Sequence, residues 1–91
     1  MKSRDTIGVV GLGHVGLPTA VGFADLGLRV IGADDDNVKA DLIRGGTPPF
    51  YEPDLREILT NTLSNGSFQV AESVKETIAK GDVIIGCVGT P

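Results

Sequence analysis

Thr6-Ile7-Gly8-Val9-Val10-Gly11-Leu12-Gly13-His14-Val15-Gly16-Leu17-Pro18 decides the fold. Its first five residues are apolar at nearly every position, which suits a parallel strand covered on both faces. Gly11 ends that run and opens the spacing Gly-x-Gly-x-x-Gly. Leu17, Ala20, Val21 and Ala24 then recur on one helix face, and Gly27 is placed to stop the helix. Pro18 falls at the edge of the first turn, where most amides lack intrahelical partners in any case. Each glycine has a separable role. Gly11 permits a tight turn. Gly13 lets the backbone approach a diphosphate with no Cβ in the way. Gly16 lets the helix pack close to the sheet. Unpaired amides and the positive end of the helix then stabilise the phosphate charge.

Downstream, Leu28 to Ala33 reads as a second strand that runs into Asp34-Asp35-Asp36. Asp34 comes 23 residues after Gly11, close to the spacing of about 20 expected for a carboxylate that holds a ribose. Such a carboxylate accepts hydrogen bonds from ribose hydroxyls and repels a 2′-phosphate, so the expected cofactor is NAD rather than NADP. Lys39 is on the following helix, within reach of the adenosine ribose. Arg29 lies at the far end of its strand and is not. Asp35 and Asp36 are read as one helix cap and one solvated carboxylate.

That helix is expected over Asn37 to Arg44, with Val38 and Leu42 inward and Gly45-Gly46 closing it. A loop from Thr47 to Pro53 holds three of the five prolines. Its Tyr51 and Glu52 are candidates for a functional role, which loop packing and helix capping explain equally well. Leu55, Ile58, Leu59 and Leu63 mark another amphipathic helix, stopped near Asn65-Gly66. Ser67 to Ala71 alternates like a half-buried strand. Ser73-Val74-Lys75-Glu76 fits a capping box, and Gly81 ends that helix. Val83 to Val88 is the most apolar run. The order β-α-β-α-α-β-α-β implies a parallel sheet with right-handed crossovers. The expected class is therefore α/β: a truncated Rossmann-like doubly wound fold, four strands in the order 3-2-1-4 with flanking helices. Residues 1–91 are expected to form one incomplete domain.

Composition narrows the function. Of 91 residues, 41% are hydrophobic and 22% charged, which is globular and excludes a disordered chain. No apolar run approaches the roughly 20 residues of a membrane span. No secretory leader is read at the start. Eight basic residues against twelve acidic give a net charge of −4 with no basic stripe, so nucleic acid is a poor partner. A single cysteine makes no internal disulfide and fits the cytoplasm. Cys87 is expected to be a small buried hydrophobe of the last strand rather than a nucleophile. His14 has no partner near it in sequence for metal binding or proton transfer. It is expected beside the cofactor phosphates or packed on the loop. No metal site is expected.

The glycine loop with Leu17-Pro18 resembles that of the UDP-glucose/GDP-mannose dehydrogenase family. Phe50-Tyr51-Glu52-Pro53-Asp54-Leu55 is similar to that family's Tyr-Glu-Pro-Gly-Leu segment, with Asp54 in place of glycine. Val88-Gly89-Thr90-Pro91 is similar to its Val-x-Thr-Pro signature. The resemblance covers essentially the whole chain. It implies an NAD-dependent oxidation of the C6 alcohol of a UDP- or GDP-sugar to the carboxylate, in polysaccharide biosynthesis. It implies NAD contacts at Gly11 to Gly16, Asp34, Lys39 and Val88, Gly89, Thr90 and Pro91. The family's catalytic cysteine, lysine, asparagine and acid lie in parts beyond this stretch, and Cys87 is not in that cysteine's motif. The chain is thus read as the amino-terminal, non-catalytic portion of such an enzyme. The alternative is a self-standing nucleotide-binding or regulatory module. The Tyr-Glu-Pro loop and terminal Thr-Pro argue against 3-hydroxyacyl or 6-phosphogluconate dehydrogenases. With the far edge of strand 83–88 bare, either self-association through it or a marginal fold is expected.

Overall fold

Strand β1 sits between two parallel neighbours and organises everything else. The computed structural model describes residues 5–87. Its elements are β1 (Thr6–Val10), α1 (Gly16–Asp25), β2 (Arg29–Ala33), α2 (Asn37–Arg44), α3 (Leu55–Ser64), β3 (Phe68–Val70), α4 (Val74–Lys80) and β4 (Val83–Gly86). The sheet order is β3-β2-β1-β4, all pairs parallel, as expected from the alternation of strands and helices. Among the described residues no helix is long and apolar enough to cross a membrane.

Period-two alternation along the strands divides the core. Ile7, Val9, Val30, Phe68 and Val70 belong to the main cluster, with Leu17, Ala20, Val21 and Ala24 of α1, Ile43 of α2 and Leu55 and Leu59 of α3. The alternate residues Ile31 and Ala33 form a smaller cluster with Ala71 and Val74, at the start of α4. Buried side chains on both faces explain why β1 and β2 read as continuous apolar runs.

The helix starts follow their side chains. Asp36 caps α2, accepting the Val38 and Lys39 amides at 3.0 and 3.1 Å. Ser73 caps α4 through the Glu76 amide at 3.1 Å. Glu76 reaches back to the Glu72 amide at 2.8 Å, one residue before the usual capping-box partner.

The expectations for α2, for the last apolar run with Cys87, and for Tyr51 are corrected. Val38 and Leu42 do not point inward; they are 72% and 43% exposed, while Ala40 and Ile43 are buried. Both pairs offer an apolar stripe on so short a helix. The Asp36 cap and the pairing of Lys39 with Asp34 accompany the rotation that turns Ile43 into the main core. Val83 and Ile84 are about two-fifths exposed, because no described strand covers the far edge of β4. Cys87 is half-buried just beyond β4, which ends at Gly86. Tyr51 is 89% exposed and does not pack the loop; the Glu52 carbonyl accepts the Leu55 amide at the start of α3.

Candidate nucleotide-binding corner

The glycine loop turns at the carboxyl end of β1. Gly11 has φ of +94°, a region side chains rarely adopt, and a Cβ there would overlap the Cys87 carbonyl oxygen. A Cβ on Gly16 would overlap the Gly11 carbonyl oxygen. At Gly13 a Cβ would meet nothing within 4 Å. The same glycine spacing therefore serves two ends: Gly11 and Gly16 close the corner, and Gly13 presents bare backbone to open space.

α1 begins there with its dipole end free. Val15 precedes it with no side-chain cap, and its first turn contains no acid. Among the described residues the His14 and Val15 amides have no acceptor. Such amides and the helix dipole favour an anion.

Asp34 faces this corner from the end of β2. Its Oδ2 accepts the Leu12 amide at 2.8 Å and its Oδ1 the Asp36 amide at 2.9 Å. Lys39 Nζ lies 3.6 Å from Oδ2. Burial pushes this carboxyl up, but the Asp36 and Leu12 amides and the Lys39 ammonium outweigh it and hold it below its ordinary value of 3.8. Asp34 is therefore ionised at neutral pH. Val10, Gly11, Gly13, Asp34, Asp35, Lys39 and Cys87 line a cavity of about 250 Å³.

The structure thus brings Gly11, Gly13, Asp34 and Lys39 together at one recess. Leu12 is fully buried, its side chain in the core and its amide on Asp34. Gly16 is buried at the start of α1, and Val15 is 69% exposed. His14 stacks on Phe50, ring centroids 4.2 Å apart. The imidazole is thus packed against the proline-rich loop rather than its own. Val88, Gly89, Thr90 and Pro91 lie outside the described residues. Sequence reasoning missed the Cys87 backbone beneath Gly11 and the Phe50 ring. The second had a signal in the aromatic run Phe50-Tyr51. Among the described residues no group of three or more acids, histidines or cysteines is placed to hold a metal ion. A larger cavity of about 710 Å³ lies over the loop at Thr47, Phe50, Tyr51 and Arg56. The glycine corner and its free amides lie outside that cavity, so size does not decide which recess binds a nucleotide.

A glycine turn after β1, an open helix start and an acid after β2, on a parallel sheet of order 3-2-1-4, define the first half of a Rossmann-type dinucleotide-binding domain. The sequence pattern of the UDP-glucose/GDP-mannose dehydrogenase family, NAD binding domain, matches residues 5–91, and the chain belongs to that family. Its cofactor is NAD. The chain resembles the structure of a UDP-glucose dehydrogenase from the archaeon Pyrobaculum islandicum. Their TM-score is 0.92 at 44% identity, over 97% of this chain and 20% of that one. A GDP-mannose dehydrogenase from Pseudomonas aeruginosa, solved as a ternary complex, gives a TM-score of 0.88 at 36% identity, over 93% and 20%. The UDP-glucose 6-dehydrogenase of Rhizobium meliloti is 34% identical over 85 residues, 93% of this chain and 20% of that protein. The chain spans about a fifth of the length of these relatives.

Proposed function

We propose that the NAD diphosphate lies on the backbone of Gly13 to Val15 and that Asp34 and Lys39 hold the adenosine ribose. The observation that carries this reading is the bare Gly13 face, open for 4 Å, beside uncapped amides of α1 and the carboxylate of Asp34. A carboxylate offers about four acceptor positions. The Leu12 and Asp36 amides take one on each oxygen, with Lys39 paired at 3.6 Å, which leaves a position on Oδ1 for a ribose hydroxyl. The ionised Asp34 disfavours a 2′-phosphate, which supports NAD over NADP. Gly11 and Gly16 shape the turn. Leu12 anchors it, and His14 braces it from outside. Val88, Gly89, Thr90 and Pro91 are proposed NAD contacts on the strength of their likeness to the family's Val-x-Thr-Pro signature.

Bound NAD supplies a hydride acceptor. We infer that the whole protein uses it to oxidise the C6 alcohol of a UDP- or GDP-sugar to the carboxylate, in the cytoplasm and towards polysaccharide. The names of the relatives support the nucleotide-sugar 6-dehydrogenase part of this reading. Within this stretch the residues bind and orient; none is proposed to act on the sugar. The exposed edge of β4 is proposed to pair with a second copy of this 91-residue chain.

Calorimetry with NAD tests the site. Gly13→Val should abolish the binding heat while leaving the fold intact. Equal heats for both proteins would reject the glycine loop as the binding element.

A further inference from the structure

We propose that Asp34 is a positioning residue for the glycine loop, fixing through the Leu12 amide the direction in which the following amides point. This rests on the dinucleotide reading of the corner and adds to the carboxylate's ribose contact.

Two successive amides of the loop are bonded to two successive residues at the end of β2. Gly11 donates to the Ala33 carbonyl at 2.8 Å, and Leu12 donates to Asp34 Oδ2 at 2.8 Å. The Leu12 side chain is completely buried in the main core. Leu12 is thereby held at both ends: side chain below, amide to one side. Its neighbour Gly13 then has little choice of orientation, although nothing packs on it.

Asp34 is itself held. The Asp36 amide fixes Oδ1, Lys39 approaches Oδ2, and the side chain is 11% exposed. A hydrogen bond from an amide to such a carboxylate is charge-assisted and stronger than a neutral one. Two consequences follow. The Leu12 amide is committed to Asp34, so a diphosphate is recognised by the amides after it. Replacing Asp34 to relax cofactor choice also releases the loop, so affinity falls for NAD and NADP together.

The test separates the two roles of one carboxylate. An NAD analogue whose adenosine ribose lacks both free hydroxyls cannot use Asp34 as a ribose acceptor. Binding of this analogue is measured by calorimetry for the wild-type chain, Asp34→Ala and Asp34→Asn. Asp34→Ala should weaken it by about tenfold. Asp34→Asn keeps one acceptor for the Leu12 amide and should recover at least a third of that affinity. Wild-type affinity in Asp34→Ala would overturn the proposal. Amide hydrogen exchange gives a readout without ligand. Leu12 N–H should exchange at least about tenfold faster in Asp34→Ala, with Val9 and Val30 amides unchanged. Equal Leu12 protection would overturn the proposal. A wild-type chain that fails to bind NAD sinks the dinucleotide reading instead, and leaves the exchange comparison decisive for the loop.

Discussion

The imidazole of His14 lies nearly flat on the ring of Phe50, with centroids 4.2 Å apart and planes 21° from parallel. This stack joins the glycine loop to the proline-rich segment between α2 and α3, two parts of the chain that no strand connects. Aromatic pairs of this kind contribute roughly 0.5–1.5 kcal/mol beyond burial. Phe50→Ala should therefore lower unfolding free energy by about 1 kcal/mol or more in urea titration. His14→Ala keeps its backbone amide, so NAD affinity should stay within about threefold of wild type.

Gly11 and Gly13 should respond oppositely to one methyl group. Gly11→Ala forces a Cβ into the Cys87 carbonyl oxygen at a positive φ, a strain of about 1–3 kcal/mol before the overlap is counted. Urea unfolding should show it severely destabilised. Gly13→Ala meets no neighbour, so its stability should change by less than about 0.5 kcal/mol. Its NAD affinity should nevertheless drop, because the methyl occupies the face offered to the diphosphate.

Asp34 predicts a pH effect of definite sign. Its carboxyl titrates below 3.8 in the folded chain, despite burial, because the Asp36 and Leu12 amides and Lys39 favour the ionised form. The stabilisation is fully present above the ordinary value and fades as pH falls through the lower, folded value. Urea midpoints followed from neutral pH into the acid range should fall more steeply for wild type than for Asp34→Asn. Parallel curves would show that Asp34 carries no such linkage.

The acids beside it should separate cleanly. Asp36→Ala removes the cap from α2 and should cost about 1 kcal/mol. Asp35 is exposed and caps nothing, so Asp35→Ala should be close to neutral in the same unfolding assay.

Sedimentation addresses the edge of β4. The wild-type chain should show a weight-average mass that rises with concentration. Ile84→Lys places a charge on a residue that is 41% exposed, and should return it towards monomer. A wild-type chain that stays monomeric at high concentration refutes the pairing.

The corner was legible in the sequence because its constraints are local. Glycine spacing, the strand before it and the acid 23 residues after Gly11 each depend on chain order alone. The Ser73 cap was readable for the same reason, as was a cap by one of Asp35 and Asp36, which the structure assigns to Asp36. Sheet order followed from the alternation of elements. The rotation of α2 was not legible, because Val38 with Leu42 and Ala40 with Ile43 both make apolar stripes. Tertiary contacts chose between them. The exposure of Val83 and Ile84 depends on what borders β4, which its own apolar run does not encode. The bond from the Leu12 amide to Asp34 was hidden too. Sequence suggested a carboxylate for the ribose, with no hint that it also steadies the turn.

Gly11 and Leu12 tether the turn to the end of β2 by bonds made wholly within the chain. On the proposed reading the receptor surface is consequently preformed, and a dinucleotide meets a ready mould rather than a coil that must first freeze. Little entropy is lost by the host on capture. Encounter, not rearrangement, then limits how fast the site fills.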